Sequence, residues 1–336
     1  MTARRATRSL PARLVIAVAC AASGPASACG GGAGHVEVLY AGSLTRTMEQ
    51  GLGPAFGDAS GLLFRGEPRG SVAGANLVRD GVRRPDLYVT ADPATFHVLG
   101  PSWAGWGVVF AAGELVIGYE SSGRFGAALD SAAAGAADWT DVLTRPGFRF
   151  GRTEPDRDPK GYRTLWMLEL AEAWLERPGL KRRILSAGTG LVYPEEHLAA
   201  RVQTGELDAG AFSLAEARAL GLSVVRLPPE VNQGRVEEAA RYATRAYRTK
   251  GGAEFRGAPI LFSATIPAGA PHPKAGEAFL RYLLGDAARA RLQAAGFQPL
   301  RYRVGPSAAF PASLADLSEL PPAPDVAVAA RSDAGY

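Results

Sequence analysis

The chain of 336 residues carries 37 lysines and arginines against 33 acidic residues, yet four arginines within the first 28 residues account for its whole formal charge of +4. The remainder is neutral, so the basic pI lends no support to a nucleic-acid-binding surface. Cys20 and Cys29 are the only cysteines, and His35, His97, His197 and His272 form no HExxH spacing, which excludes an internal disulfide in the body and argues against zinc chemistry.

The first segment reads as an address. Arg4, Arg5, Arg8 and Arg13 precede the apolar run Leu14 to Ala22, too short to span a bilayer as a mature helix but suited to a signal peptide over residues 1–28. Ala26-Ser27-Ala28-Cys29, followed by three glycines, resembles a bacterial lipoprotein processing site, with Cys29 lipidated and residues 29–35 as its tether. The competing reading is ordinary cleavage at Ala-Ser-Ala with Cys29 incidental. Arg4-Arg5 leaves Sec and twin-arginine export both open.

What remains, roughly 300 residues, is enough for two α/β domains. His35 to Tyr40 reads as a strand, and Ala41-Gly42-Ser43-Leu44 turns into a helix with Leu44, Met48 and Leu52 on one face. Leu62 to Phe64 is a second strand, Gly70-Ser71-Val72 opens a helix through Val78, and Asp86 to Thr90 is a third strand. This alternation predicts a mainly parallel sheet, whose ligands lie at the carboxyl ends of its strands, where Ser43 and Ser71 fall. The apolar run Trp106 to Tyr119, broken at Ala112-Gly113, is a candidate hinge, and Trp139 to Leu143 a short helix.

Gly151 to Arg163, GRTEPDRDPKGYR, combines a strand end at Phe148 to Phe150, a charged loop and a helix start. Asp158 is placed as N-cap and Pro159 at the first helical position, with Tyr162, Leu165, Trp166, Leu170, Ala173 and Trp174 recurring at helical spacing. The unpaired amides and dipole of a helix start can receive an anion, and Lys160 adds a full charge. Asp158 alone fits two roles, a cap for the amides of Lys160 and Gly161 or a ligand.

Downstream, Pro194, Glu195 and Glu196 open another helix, and Ser213-Leu214-Ala215-Glu216 is a capping box. Ser223 to Leu227 and Pro259 to Ile266 read as strands. A helix from Lys274 through Leu284 is expected to return to the first domain. From Pro311 to Tyr336 the Pro- and Ala-rich composition reads as a loose tail.

The ordered series AGSLT, GSV, PDLYVTAD, GRTEPDRDPKGYR, PEEHL with GELDAG, LPPEVN, PILFSATIP and LLGDAARARLQAAGFQPL resembles the tungstate- and molybdate-binding proteins of ABC importers, in their archaeal-type branch. The resemblance spans roughly Val36 to Leu300. It implies a type II periplasmic-binding-protein fold of two α/β lobes joined by a hinge, residues 36–112 plus 250–305 forming the first and 113–249 the second. It further implies an extracytoplasmic, monomeric protein without cofactor or enzymatic activity, which delivers tungstate or molybdate to ABC permease subunits.

By the same resemblance, Gly42 and Ser43 of AGSL, Ser71 of GSV, Asp158 with Pro159 and Lys160, and Glu195 line the oxyanion site, while Ser213 stands where the family has a tyrosine. An oxyanion offers only acceptors, and hydroxyls and amides at helix starts supply donors. Two carboxylates would repel a dianion. The resemblance implies that Asp158 and Glu195 coordinate the Mo or W itself; the alternative is that Asp158 only caps and Glu195 only complements a helix dipole. Other readings are a binder of thiosulfate, phosphonate or an organic acid, and a hydrolase acting on an anion, for which no GxSxG, HExxH or P-loop is present.

Overall fold

A computed structural model describes residues 34–188, 191–252 and 254–323. The expected signal peptide, Cys29 and most of its tether lie outside the described residues, as does 324–336 of the expected tail.

β1 (His35–Ala41) buries Val36 and Val38 and then every residue from Leu39 to Ala41, the pattern of a central strand. From Gly42 to Ser60 the chain coils through successive 3-10, α and π turns, and Leu44, Met48 and Leu52, spaced four apart, are each 0% exposed. Burying each such side chain stabilises the fold by about 1.5–3 kcal/mol. β2 (Leu63–Arg69) and β3 (Leu87–Thr90) flank β1 in parallel. Between them runs the Ser71–Arg79 helix, whose buried stripe is Ser71, Gly74, Ala75 and Val78.

β4 (Gly107–Gly113) and β5 (Leu115–Tyr119) are separated by Glu114 alone and belong to different sheets. β6 (Phe150–Thr153), β7 (Val192–Tyr193), β8 (Ala209–Ser213) and β9 (Ser223–Arg226) complete the second sheet, in the order β7-β6-β8-β5-β9. β10 (Ala246–Arg248) and β11 (Glu254–Arg256) form a separate hairpin, which contains the expected lobe boundary at residue 249. β12 (Ile260–Thr265) and β13 (Gln298–Val304) return to the first sheet, ordered β13-β4-β12-β3-β1-β2.

Both sheets are mixed rather than mainly parallel. In the first sheet β12 and β13 run against β1, β2 and β3 while β4, between them, runs along β1, and in the second β5 pairs antiparallel with β8 and β9. Three local expectations are also corrected. The strand expected to end at Phe150 begins there, since Gly151 admits Leu198 and Leu207 against its backbone and the ladder continues to Thr153. In the Pro159–Trp174 helix the first turns are buried all round, Lys160, Gly161, Arg163 and Thr164 included, whereas Ala173 and Trp174 are exposed.

The expected loose tail is overturned for 311–323. Ala312–Glu319 is a 3-10 helix that buries Leu314 and Leu317, Arg281 donates 2.9 Å bonds to both Asp316 oxygens, and Ala323 N donates to Arg303 O at 2.7 Å. Pro- and Ala-rich composition concealed the spacing of Phe310, Leu314 and Leu317, which pack on the core.

Asp208 locks the start of β8. Its carboxylate accepts from Arg149 N at 2.7 Å, Arg149 Nη2 at 2.7 Å and Arg124 Nη2 at 2.8 Å. Burial alone would raise this carboxyl, but the two guanidinium groups outweigh it and hold it below its ordinary value. A depressed acid contributes stability above its unfolded pKa of about 4, and that contribution is lost as pH falls through the folded value. Asp208→Asn should lower unfolding stability at pH 7 by about 2 kcal/mol, below the range for fully buried pairs because both arginines reach solvent. In chemical denaturation the gap to wild type should narrow as pH falls below about 4; a gap independent of pH would assign the loss to packing.

Candidate functional site

Where the two sheets face each other, a cavity of about 40 Å³ is lined by Gly42, Ser43, Gly70, Ser71, Asp158, Pro159, Lys160, Arg163, Glu195 and Ser213, with Leu115, Ile260 and Phe262 beneath. Every residue that the sequence offered for the oxyanion site lies on this lining. Residues 42–71 lie at the ends of strands of the first sheet and residues 158–213 at those of the second, so the cavity lies between the two sheets.

Local sequence puts helix starts there. Gly70 precedes the Ser71–Arg79 helix, Asp158 caps the Pro159–Trp174 helix, Pro194 precedes Glu195–Gln203, and Ser213 caps Leu214–Ala219. Ser71 Oγ accepts from Ala91 N at 3.1 Å, and Ser213 Oγ accepts from Glu216 N at 3.2 Å. Each hydroxyl keeps a proton to donate.

The two candidate carboxylates are each pinned through one oxygen. Asp158 Oδ1 accepts from Lys160 N at 2.9 Å, while its Oδ2 is buried without a partner. Glu195 Oε1 accepts from Lys160 Nζ at 3.0 Å, and its Oε2 lies against Gly42, where a Cβ would come within 2.8 Å. Burial, and then the neighbouring Glu195 charge, push Asp158 up to about 7 against the pull of Lys160.

Lys160 departs from the role its charge implied. Its ammonium, 7% exposed, donates to Glu195 Oε1 at 3.0 Å and to Glu216 Oε1 and Oε2 at 2.9 and 2.8 Å. Burial would lower its pKa, but Glu195, Glu216 and Asp158 together raise it, so it stays charged. Burial likewise raises Glu216, opposed by Lys160.

Sequence reasoning left out three residues. Glu216 was legible only as the last member of a capping box. Arg163 and Asp92 stood in GYR and TAD, yet nothing in those strings announced their pairing: Arg163 Nη2 donates to Asp92 Oδ2 at 2.9 Å, Tyr162 OH to the same oxygen at 3.0 Å, and Arg163 Nη1 to Ala258 O at 2.7 Å. Arg163 lines the cavity with its Nε buried and unpaired.

Residues 36–298 match the model of a family described as bacterial extracellular solute-binding protein. The chain belongs to that family. This solute-binding protein is 34% identical over 230 residues to a Haloferax volcanii protein whose name describes an ABC transporter molybdenum-binding protein, covering 68% of this chain and 72% of that one. It is 28% identical over 247 residues to the molybdate/tungstate-binding protein of Thermococcus kodakarensis, covering 66% and 69%. Among solved structures it resembles the Azotobacter vinelandii periplasmic molybdate-binding protein, with a TM-score of 0.54 at 18% identity over 78% of this chain and 98% of that one. The sulfate-binding protein SubI of Mycobacterium tuberculosis gives 0.55 at 16% identity, over 86% and 92%. At such identities the likeness is one of fold, the type II periplasmic-binding-protein arrangement of two α/β lobes joined by a hinge.

Gly161 is what lets this solute-binding protein pack the helix start against the Glu154–Pro155 loop that leads into Asp158. A Cβ there would meet Pro155 N at 2.6 Å and Glu154 C at 2.7 Å, both backbone atoms. Gly161→Ala would gain about 1 kcal/mol in helix propensity, but displacing the Glu154–Pro155 backbone should outweigh it and leave a net loss of about 1–3 kcal/mol in chemical denaturation. A net gain would mean that the loop yields freely.

Proposed function

We propose that this protein captures tungstate or molybdate in the cleft between its lobes and delivers it to the membrane subunits of an ABC importer. The observation that carries the reading is the pair of carboxylates, each held by Lys160 through one oxygen, with Asp158 Oδ2 left unpaired and Glu195 Oε2 turned to Gly42. An anion held only by hydrogen bonds would be repelled by both. A tungsten or molybdenum centre can take carboxylate oxygens as additional ligands, whereas the sulfur of sulfate cannot. Asp158 and Glu195 act as ligands to the metal, and Ser43, Ser71, Ser213 and the helix-start amides beside Gly42 receive the oxo groups. The relatives' names support the same ligand class.

On this reading the protein works outside the cytoplasm, as a monomer tethered by a lipid on Cys29. Cys29→Ser should then move from the membrane fraction to the soluble one, and wild type without acyl mass would sink the tether.

Calorimetry with an oxyanion panel tests the ligand assignment, and Asp158→Asn tests its chemistry. Asn caps a helix about as well as Asp but is a neutral and poorer metal ligand. Tungstate and molybdate affinities should fall by about tenfold or more, roughly 1.4 kcal/mol, while sulfate binds no worse. A uniform gain for all three anions would reduce Asp158 to a cap and leave the serines and amides as the site.

A further inference from the structure

Resting on the oxyanion reading above, we infer that Glu216 is a specificity-positioning residue: it engages the Lys160 ammonium so that the cation serves the carboxylates and not the anion. An ammonium has three N–H donors. Lys160 has three acceptors within 3.0 Å, Glu195 Oε1 and both oxygens of Glu216, so its charge is already engaged by two carboxylates, one of them through both oxygens, before a ligand enters.

This matters because a buried, free ammonium binds oxyanions with little regard to their central atom. Sulfate and tungstate offer it the same acceptors. Held by Glu216, Lys160 instead pins Glu195 Oε1, and the site is left to discriminate through carboxylate bonds that only a metal centre can accept. Glu216 itself is fixed from two sides, since its Oε2 also accepts from Ser213 N at 3.4 Å in the capping box. Phe212, its ring centroid 5.5 Å from Nζ, bounds the ammonium on another side.

The test is Glu216→Gln, alone and with Lys160→Met, titrated calorimetrically with tungstate, molybdate and sulfate. Gln serves at the third position of a capping box, so the helix start is kept. The ratio of tungstate to sulfate affinity should fall by about tenfold or more in Glu216→Gln, mainly through a gain in sulfate binding. In the double variant that gain should vanish, because it is exerted through Lys160. An equal gain for all three anions, or a gain that persists without Lys160, would overturn the inference by reducing Glu216 to a nearby negative charge. An equal loss for all three would reduce it to a structural cap. Wild type that binds neither tungstate nor molybdate would instead sink the functional reading itself, so the two failures are distinguishable.

Discussion

The arrangement depends on one buried ion pair. Asp92 sits just beyond β3 in the first lobe and Arg163 in the first turns of a second-lobe helix, and they are 3% and 2% exposed. A lone charge at such depth would be very costly, so each requires the other. Arg163 also donates to the carbonyl of Ala258, in the segment that carries the chain back to β12, and Gln233 Nε2 donates to the carbonyl of Arg163 at 2.8 Å. Lobe, helix and crossing segment are thereby fixed at one point. The helix whose start carries Asp158 and Lys160 cannot shift against the first lobe without breaking a pair that water does not reach. Around it, Tyr162 stacks on Phe255 at 4.9 Å and packs with Ala94 and Trp166, so an apolar cluster encloses the charges.

The cavity poses the opposite electrostatic problem. Around the Lys160 ammonium lie Asp158, Glu195 and Glu216, while Arg163, the other cation on the lining, is spent on Asp92. Burial and mutual repulsion push Asp158 and Glu216 upward, which is how strain among like charges registers when one cation is shared. A site for an ordinary dianion would be built the other way, with donors in excess. Carboxylates in excess, with one left unpaired, suit a ligand that carries an electrophilic centre inside its oxygen shell.

Legibility in the sequence followed the range of the interactions. Helix starts at Asp158-Pro159 and at Ser213 with Glu216 were readable because capping chemistry is confined to four consecutive residues. The order of strands and helices through Val78 was readable from periodicity. Strand direction was not, since β4 and β12 pair antiparallel through contacts about 150 residues apart that no local pattern encodes. The pairing of Asp92 with Arg163, 71 positions apart, was hidden for the same reason. The partners of Lys160 were hidden because charge is visible in a string of letters and the carboxylates that engage it, 35 and 56 positions away, are not. The helix over Ala312–Glu319 was lost in alanine and proline, though Leu314 and Leu317 marked its buried face.

Glycine sets the closeness of the two lobes. At Gly42 the nearest atom to an added Cβ belongs to Glu195, and at Gly70 it is the carbonyl of Arg157 at 3.4 Å; both neighbours lie in the opposite lobe. With no side chain at either position, the backbone itself forms the first-lobe wall of the cavity, and its amides approach whatever lies inside. Gly42 and Gly70 each stand immediately before a serine assigned to the site. A side chain at 42 would displace the tip of Glu195, which is movable, so it would disturb ligand geometry before it disturbed closure. At 70 the neighbour is backbone, so a side chain would instead press on the loop ahead of Asp158. Two small residues thus govern separate properties of one wall, the first the position of a carboxylate and the second how near two backbone segments approach.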